Sequence, residues 1–387
     1  MLKVLIGGTV ITVTGPSYSP GVIVIENGKI VKVGKYGEFE IPKDAEVIEA
    51  KDKIIVPGLI DAHSHLGLVR EGLEWEFSDV NDFYSPITAH LRAIDAIDPM
   101  DLGFEDAIEG GVTTACIIPG SANIIGGIGA IIKLRTVGNG IEVINDSAVL
   151  KMALGPKRSR EYKSKMPYPT TRMGTVSILR TWFMKALDAI NGRIDLEKID
   201  TEERLMIETL IKVVKGEMIA KIHLSTSPDE IYAAIRIVKE FNIKASIDHA
   251  FGADLVAEAL RTSGIPVVYG PTMISKIAAF FKYVNDATPV ILFKKGITVS
   301  VMSDHPVYPA RYLRILAAAT VKHGLSLDEA LKLITINAAK AIGIDSRVGS
   351  IEPGKDADLV ISNDHPIKPR ARIEKVLIDG EVVYSYD

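Results

Sequence analysis

Hydrophobic and polar positions along the 387 residues fall into two rhythms. At the start, short apolar runs are cut by turn residues, as in VLIGGTVITVTG, GVIVIENGKIVKVG and AEVIEAKDKIIVPG. Apolar residues alternate between Val22 and Val33 about Asn27-Gly28, the pattern of a half-buried antiparallel hairpin. Gly7-Gly8 reads as a second hairpin mark. The last 40 residues have the same rhythm, with Asp379-Gly380 as the turn in ARIEKVLIDGEVVYS. The simplest arrangement is one small sheet domain, residues 1–57 and 348–387, built from both ends of the chain.

The middle, 58–347, alternates short apolar runs with helical patterns, which is the mark of repeated βα units on a parallel sheet. Strands are predicted at 54–62, 113–118, 141–145, 147–153, 219–224, 243–248, 265–269 and 297–303. Helices are predicted at 101–110, 175–190, 201–216, 227–241, 253–262, 310–322 and 326–341, the last opening on an N-cap at Ser326. Eight such strands predict a closed (β/α)8 TIM-like barrel. Two connections exceed ordinary length: an acidic, aromatic one after His65 (EGLEWEFSDVNDFYSP) and a basic one, GPKRSREYKSKMPYPTTRMG. Both follow strands, on the rim where barrels build their sites, and are expected to cover the site.

Composition narrows the function classes. Hydrophobic residues make up 47% of the chain, ample for a barrel-sized core plus a small companion. A net charge of −4 offers no basic field for nucleic acid. Cys116 is the single cysteine, so neither an intramolecular disulfide nor a cysteine metal cluster can form, and its apolar run suggests a buried structural thiol. No segment reads as a signal peptide or reaches the roughly 20 apolar residues of a membrane span, so a cytoplasmic protein is expected. The absence of glutamine and abundance of Ile, Lys and Glu resemble heat-adapted proteins, which often associate, so a homo-oligomer is expected.

Histidine placement carries the chemistry. His63 and His65 close one predicted strand, and residues i and i+2 of an extended chain point to one side. His223, His249 and Asp304 each end another, so donors scattered over about 240 residues would meet on one barrel rim. Imidazoles and a carboxylate suit zinc, and also iron, manganese, nickel or cobalt. An ion so held lowers the pKa of water towards neutrality and polarises a carbonyl. Asp304 is suited to orient that water, take its proton and pass it to a leaving nitrogen. The imidazole nearest the carbonyl oxygen would stabilise the oxyanion. Of the remaining histidines, His305 is expected to be structural and His323 to sit late in a helix, where a cation suits the dipole.

The run VPGLIDAHSH (56–65) resembles the opening signature of the amidohydrolase superfamily, and ITINAAKAIGIDSRVGSIEPGKDADLVI (334–361) resembles that family's return into its small β-domain. PGSANIIGG (119–127), TRMG (171–174) and SDHPV (303–307) are similar to the imidazolonepropionase-related branch. The resemblance implies a divalent metal, zinc first, held by His63, His65, His223, His249 and Asp304, with His249 also touching the substrate oxygen or a second metal. It also implies a bridging carboxylated lysine, for which Lys151 is the candidate. Relatives commonly carry a glutamate after the Leu-Gly where this chain has Gly155-Pro156-Lys157, which leaves one or two ions open. Lys151 could equally point outward between barrel and helices.

On the rim, Asn123 in a glycine-rich loop (Gly120, Gly126, Gly127) and Arg172 are the candidate substrate-binding residues. A phosphate cradle is not indicated, because neither a G-x-G-x-x-G nor a Walker motif occurs. The function expected is hydrolysis of a C–N bond in an amide, cyclic amide or dipeptide-like small molecule. The alternatives are hydrolytic deamination of a heterocycle and a catalytically silent scaffold of the same fold.

Overall fold

The computed structural model describes residues 2–387 except 75–76, 139, 156–168, 170, 225–226, 277–280 and 387. The N-terminal strands are β1 (Leu2–Ile6), β2 (Thr9–Val10), β3 (Gly21–Glu26), β4 (Lys29–Lys35), β5 (Glu46–Glu49) and β6 (Ile54–Pro57). The central strands are β7 (Leu59–Ser64), β8 (Val112–Ile117), β9 (Ile125–Val137), β10 (Gly140–Ala153), β11 (Ile219–Leu224), β12 (Ala245–His249), β13 (Val267–Tyr269) and β14 (Val299–Val301). The C-terminal strands are β15 (Leu359–Ser362), β16 (Ile373–Ile378) and β17 (Glu381–Ser385).

Both chain ends build the small β-sandwich. One sheet runs β4-β3-β1-β5, the other β17-β16-β15-β6-β2. Leu5, Ile23 and Ile25 from the first meet Ile55, Leu359 and Leu377 from the second in a shared core. Val22 and Val24, on the other face of β3, pack with Phe39 and Ile41, so β3 is apolar on both sides rather than half-solvated. Asn27-Gly28 and Asp379-Gly380 make the predicted hairpin turns, all four residues having positive φ. Gly7-Gly8 makes no hairpin. It carries the chain from one sheet to the other, since β1 pairs with β3 while β2 pairs with β6.

The predicted strand 54–62 is two strands. β6 joins the sandwich, β7 opens the barrel, and Gly58 separates them where a Cβ would fall 2.1 Å from Thr113 Oγ1. The barrel sheet runs β7-β8-β9-β10-β11-β12-β13-β14, with parallel pairs except around β9. Asp304 N–H donates to His63 O (3.2 Å) and His65 N–H to His305 O (3.1 Å), drawing the first and last strand ends together.

β9 departs from the predicted pattern. The predicted strands 141–145 and 147–153 are one strand, β10, paired antiparallel with β9, whose glycines had suggested a rim loop. Gly127, one of those, has φ +123° with Leu91 O 2.7 Å from its Cβ position, and further along the strand a Cβ on Gly129 would lie 2.5 Å from Ile118 Cγ2.

Helices α1 (Leu102–Glu109), α2 (Arg172–Ile190), α3 (Thr201–Val214), α4 (Pro228–Phe241), α5 (Ala257–Ser263), α6 (Thr288–Lys294), α7 (Leu313–Ala318), α8 (Leu327–Leu333) and α9 (Ile336–Ala341) accompany the sheet. Ser326 forms the expected cap, as a full capping box with Glu329. The predicted helix 326–341 breaks at Ile334-Thr335, and α6 was not predicted. Among the described residues no helix is long and apolar enough to cross a membrane.

Candidate metal centre

Alternation along β7 sends Asp61, His63 and His65 to one face, the barrel interior. Asp61 accepts from Ser303 N–H (3.2 Å) and from the Ser303 hydroxyl, tying β7 to the chain beyond β14. Burial pushes its carboxyl up to about 6 despite those bonds. On β11, Lys221 and His223 are likewise two apart, and on β12 Ser246 and Asp248 are.

Strict alternation would send His249 away from Asp248, towards the helices. Instead His249 has φ +64°, and its ring lies 4.9 Å from that of His63. Asp304, beyond the end of β14, has φ +54°. Left-handed backbone at a non-glycine residue costs roughly 1–2 kcal/mol, and such strain concentrates at functional sites.

Hydrogen-bond partners set the imidazole tautomers. His65 Nδ1 lies 2.7 Å from Ile118 O and His249 Nδ1 lies 2.9 Å from Gly270 O. A carbonyl only accepts, so each Nδ1 bears the hydrogen and each Nε2 a lone pair. Burial pushes both rings away from protonation, His249 down to about 3. His63 Nδ1 is 2.7 Å from Asp248 Oδ2, which likewise leaves Nε2 as the acceptor, with Lys151 Nζ 3.3 Å away.

Asp304 completes the set. Its Oδ1 stands 3.4 Å from both His63 Nε2 and His65 Nε2. Its pKa lies well below the carboxylate range although burial opposes ionisation. Ligand atoms of His63, His249 and Asp304 all lie within 4.8 Å of one another. His249 Nε2 is buried with no hydrogen-bond partner among the described residues. The His249 lone pair thus points into the group where, among the described residues, no hydrogen bond satisfies it. A divalent cation fits this donor set, and the anchored Nδ1 atoms are the outer contacts that orient imidazole ligands.

The structure therefore brings together His63, His65, His249 and Asp304. His223 is half-buried, its ring 4.2 Å from that of His249. Lys151 lies inside the barrel facing His63, not outward, and burial brings its ammonium down to about 8. Asn123 is buried and gives both amide hydrogens to the carbonyls of Asp82 and Ser85 (2.7 Å each), holding the acidic loop to the rim. Arg172 opens α2 and pairs with Asp229. Cys116 is buried with its thiol pushed up to about 12, as suits a structural residue.

His305 is buried and accepts Ala310 N–H at Nδ1 (3.4 Å). His365 Nε2 lies 3.1 Å from Asp328, and Tyr84 O–H donates to Glu202 (2.9 Å) beside His90. In the two long loops, Phe77, Phe83 and Tyr84 are exposed, while Trp75, Lys157, Arg158 and Arg160 lie outside the described residues.

Sequence reasoning missed Asp61, Lys221, Asp248 and Ser303. Asp61 and Lys221 carried a usable signal, each standing two residues before a predicted ligand on its own strand. Asp248 and Ser303 precede ligands directly, where alternation would have placed them on the opposite face.

Known proteins resemble this chain over most of its length. The amidohydrolase family model matches residues 54–264 and 284–383. Amidohydrolase tasK of Hapsidospora irregularis is 30% identical over 94% of this chain, which spans only 40% of that relative's length. The imidazolonepropionase of Thermoplasma volcanium is 24% identical, covering 99% of this chain and 98% of its own. The solved structure of an amidohydrolase from Thermotoga maritima MSB8 is 36% identical, with a TM-score of 0.92 over 99% of this chain and 100% of that one. With the family model covering both the barrel and the return into the sandwich, the chain belongs to the amidohydrolase family.

Proposed function

We propose that this protein is a metal-dependent hydrolase that cleaves a C–N bond in an amide, cyclic amide or dipeptide-like small molecule. The observation that carries this reading is the convergence of the His63, His65 and His249 Nε2 lone pairs on the Asp304 carboxylate. These residues, with His223 beside them, would hold a divalent ion, zinc first, and a carboxylated Lys151 would bridge it to a second one. Such an ion supplies acidified water and a polarised substrate carbonyl.

Asp304, ionised and at the rim, takes the proton from the attacking water and delivers it to the leaving nitrogen. His249 presents a lone pair because Gly270 O takes its hydrogen, so of its two expected duties, holding an ion is favoured over donating to an oxyanion. Burial of the whole group keeps bulk water from screening these charges.

The test is metal analysis of the purified protein, followed by a screen of amides, N-acyl amino acids and heterocycles for amine or ammonia release. Ammonia from heterocycles alone would establish deamination instead. Asp304→Asn should reduce turnover by at least the roughly 10²–10⁴-fold that general acid–base help contributes, with the melting curve little changed. Wild-type protein that holds no divalent ion and turns over nothing would leave the fold as a silent scaffold.

A further inference from the structure

Three imidazoles at the centre are anchored through Nδ1, but not alike. His65 and His249 lean on neutral backbone carbonyls, those of Ile118 and Gly270. His63 leans on a carboxylate, Asp248, which has no solvent exposure. A buried carboxylate without compensation is costly, and here a buried cation supplies it. Lys221 Nζ is 3.0 Å from Asp248 Oδ2 and 3.2 Å from Oδ1, and Ser246 Oγ donates to Oδ1 at 2.8 Å.

Strand register builds this arrangement. β11 and β12 pair with Lys221 opposite Ser246 and His223 opposite Asp248, so a ligand strand and its neighbour deliver ammonium and carboxylate to one point below the rim. On the far side of the ring, Lys151 stands 3.3 Å from His63 Nε2, consistent with a lone pair there.

We propose that Asp248 and Lys221 are positioning residues that act through His63. Asp248 locks the His63 Nδ1–H tautomer and ring angle, making its Nε2 a stronger donor than a carbonyl-anchored imidazole, and Lys221 holds the Asp248 carboxylate in place. The proposal rests on the metal-site reading for its effect on ion affinity. The tautomer itself is independent of that reading.

Two variants and two measurements test it. Loss of an outer partner of a metal-bound histidine typically weakens affinity 10–100-fold, and that loss is expected for Asp248→Asn in zinc(II) competition against a chromophoric chelator. The double variant Lys221→Met/Asp248→Asn removes both buried charges, so it should melt nearer to wild type than the single variant while keeping the weakened affinity. Nitrogen-15 spectra of the histidines should show His63 as Nδ1–H in wild type and as a mixture in both variants.

Wild-type zinc affinity in the double variant would overturn the proposal, because the charges would then serve only the fold. An unchanged His63 tautomer in the variants would overturn it equally. If wild-type protein binds no zinc, the metal-site reading fails, and the tautomer spectra alone decide between a locked and an unlocked His63.

Discussion

Two lysines with almost no solvent exposure, Lys133 and Lys151, lie on neighbouring strands of the same hairpin and meet opposite electrostatic fates. Lys133, on β9, reaches to the sandwich, with Asp356 at 2.8 Å, Asp358 at 3.1 Å and Asp379 closer still. Burial opposes its charge, yet the three carboxylates more than offset this and raise its pKa. Lys151, on β10, is brought down to about 8, because Asp248 and Asp304 offset only part of the burial and Lys221 repels it. Where every charge has its counter-charge within the chain, the cluster acts as a rivet between barrel and sandwich. Where lone pairs and charges are left unmatched, as around His63, His249 and Asp304, the chain is arranged for something that comes from outside.

The difference predicts where damage falls. Lys133→Met would strip the shared cation from the buried carboxylates. Asp356 would keep Lys29 and Arg347, and Asp379 would keep Arg135, but Asp358 would have no ion-pair partner left among the described residues. Breaking a buried pair from one side costs about 3–5 kcal/mol. The melting temperature should fall by several degrees, with ion stoichiometry unchanged in protein that stays folded. Loss of the ion at unchanged stability would invert the two roles assigned here.

A smaller effect comes from Asp358 itself, whose carboxyl burial pushes up to about 6 even beside Lys133, and whose Oδ2 is buried without a hydrogen-bond partner among the described residues. A group with a raised folded-state pKa gives stability that is full below its unfolded value near 3.8 and is lost as pH rises through 6. Lowering the pH from 7 to 5 should therefore stabilise the wild type relative to Asp358→Asn by about 1 kcal/mol. Chemical denaturation at both pH values measures it. Parallel pH dependence in the two proteins would place the titration elsewhere.

The same contrast explains what the sequence made legible. His63 and His223 could be placed on the rim because each falls near the end of its strand, β7 or β11, where a side chain has a predictable place. The sandwich was legible from its turn residues, since Asn27-Gly28 and Asp379-Gly380 need positive φ. β9 was not, because Gly126 and Gly127 read as loop, while in fact they lie in the strand and Gly127 makes room for Leu91. Asp248 and Ser303 escaped because the left-handed backbone at His249 and Asp304 puts adjacent residues on one side, and no period of two anticipates that. The Lys133 cluster joins residues more than 200 positions apart, which no local pattern reports.

Arg172 gives the smallest effect and the sharpest test of the contrast, because it can be placed on either side of it. As a reader of a substrate carboxylate it would belong with the unmatched groups, and Arg172→Met would cut kcat/KM for acidic substrates ten-fold or more while sparing neutral ones. The structure gives its guanidinium a partner already, Asp229 at the start of α4, which also accepts from the Ser227 hydroxyl. Both charged side chains are substantially exposed, 34% for Arg172 and 59% for Asp229, and exposed pairs contribute only about 0–1 kcal/mol. A substrate carboxylate would have to displace Asp229 in order to bind. We therefore expect Arg172→Met to change kcat/KM less than about three-fold, equally for acidic and neutral substrates, with a melting shift near the limit of measurement. A selective ten-fold loss on acidic substrates would show that Asp229 is a placeholder that the substrate replaces, and Arg172 would then join the site.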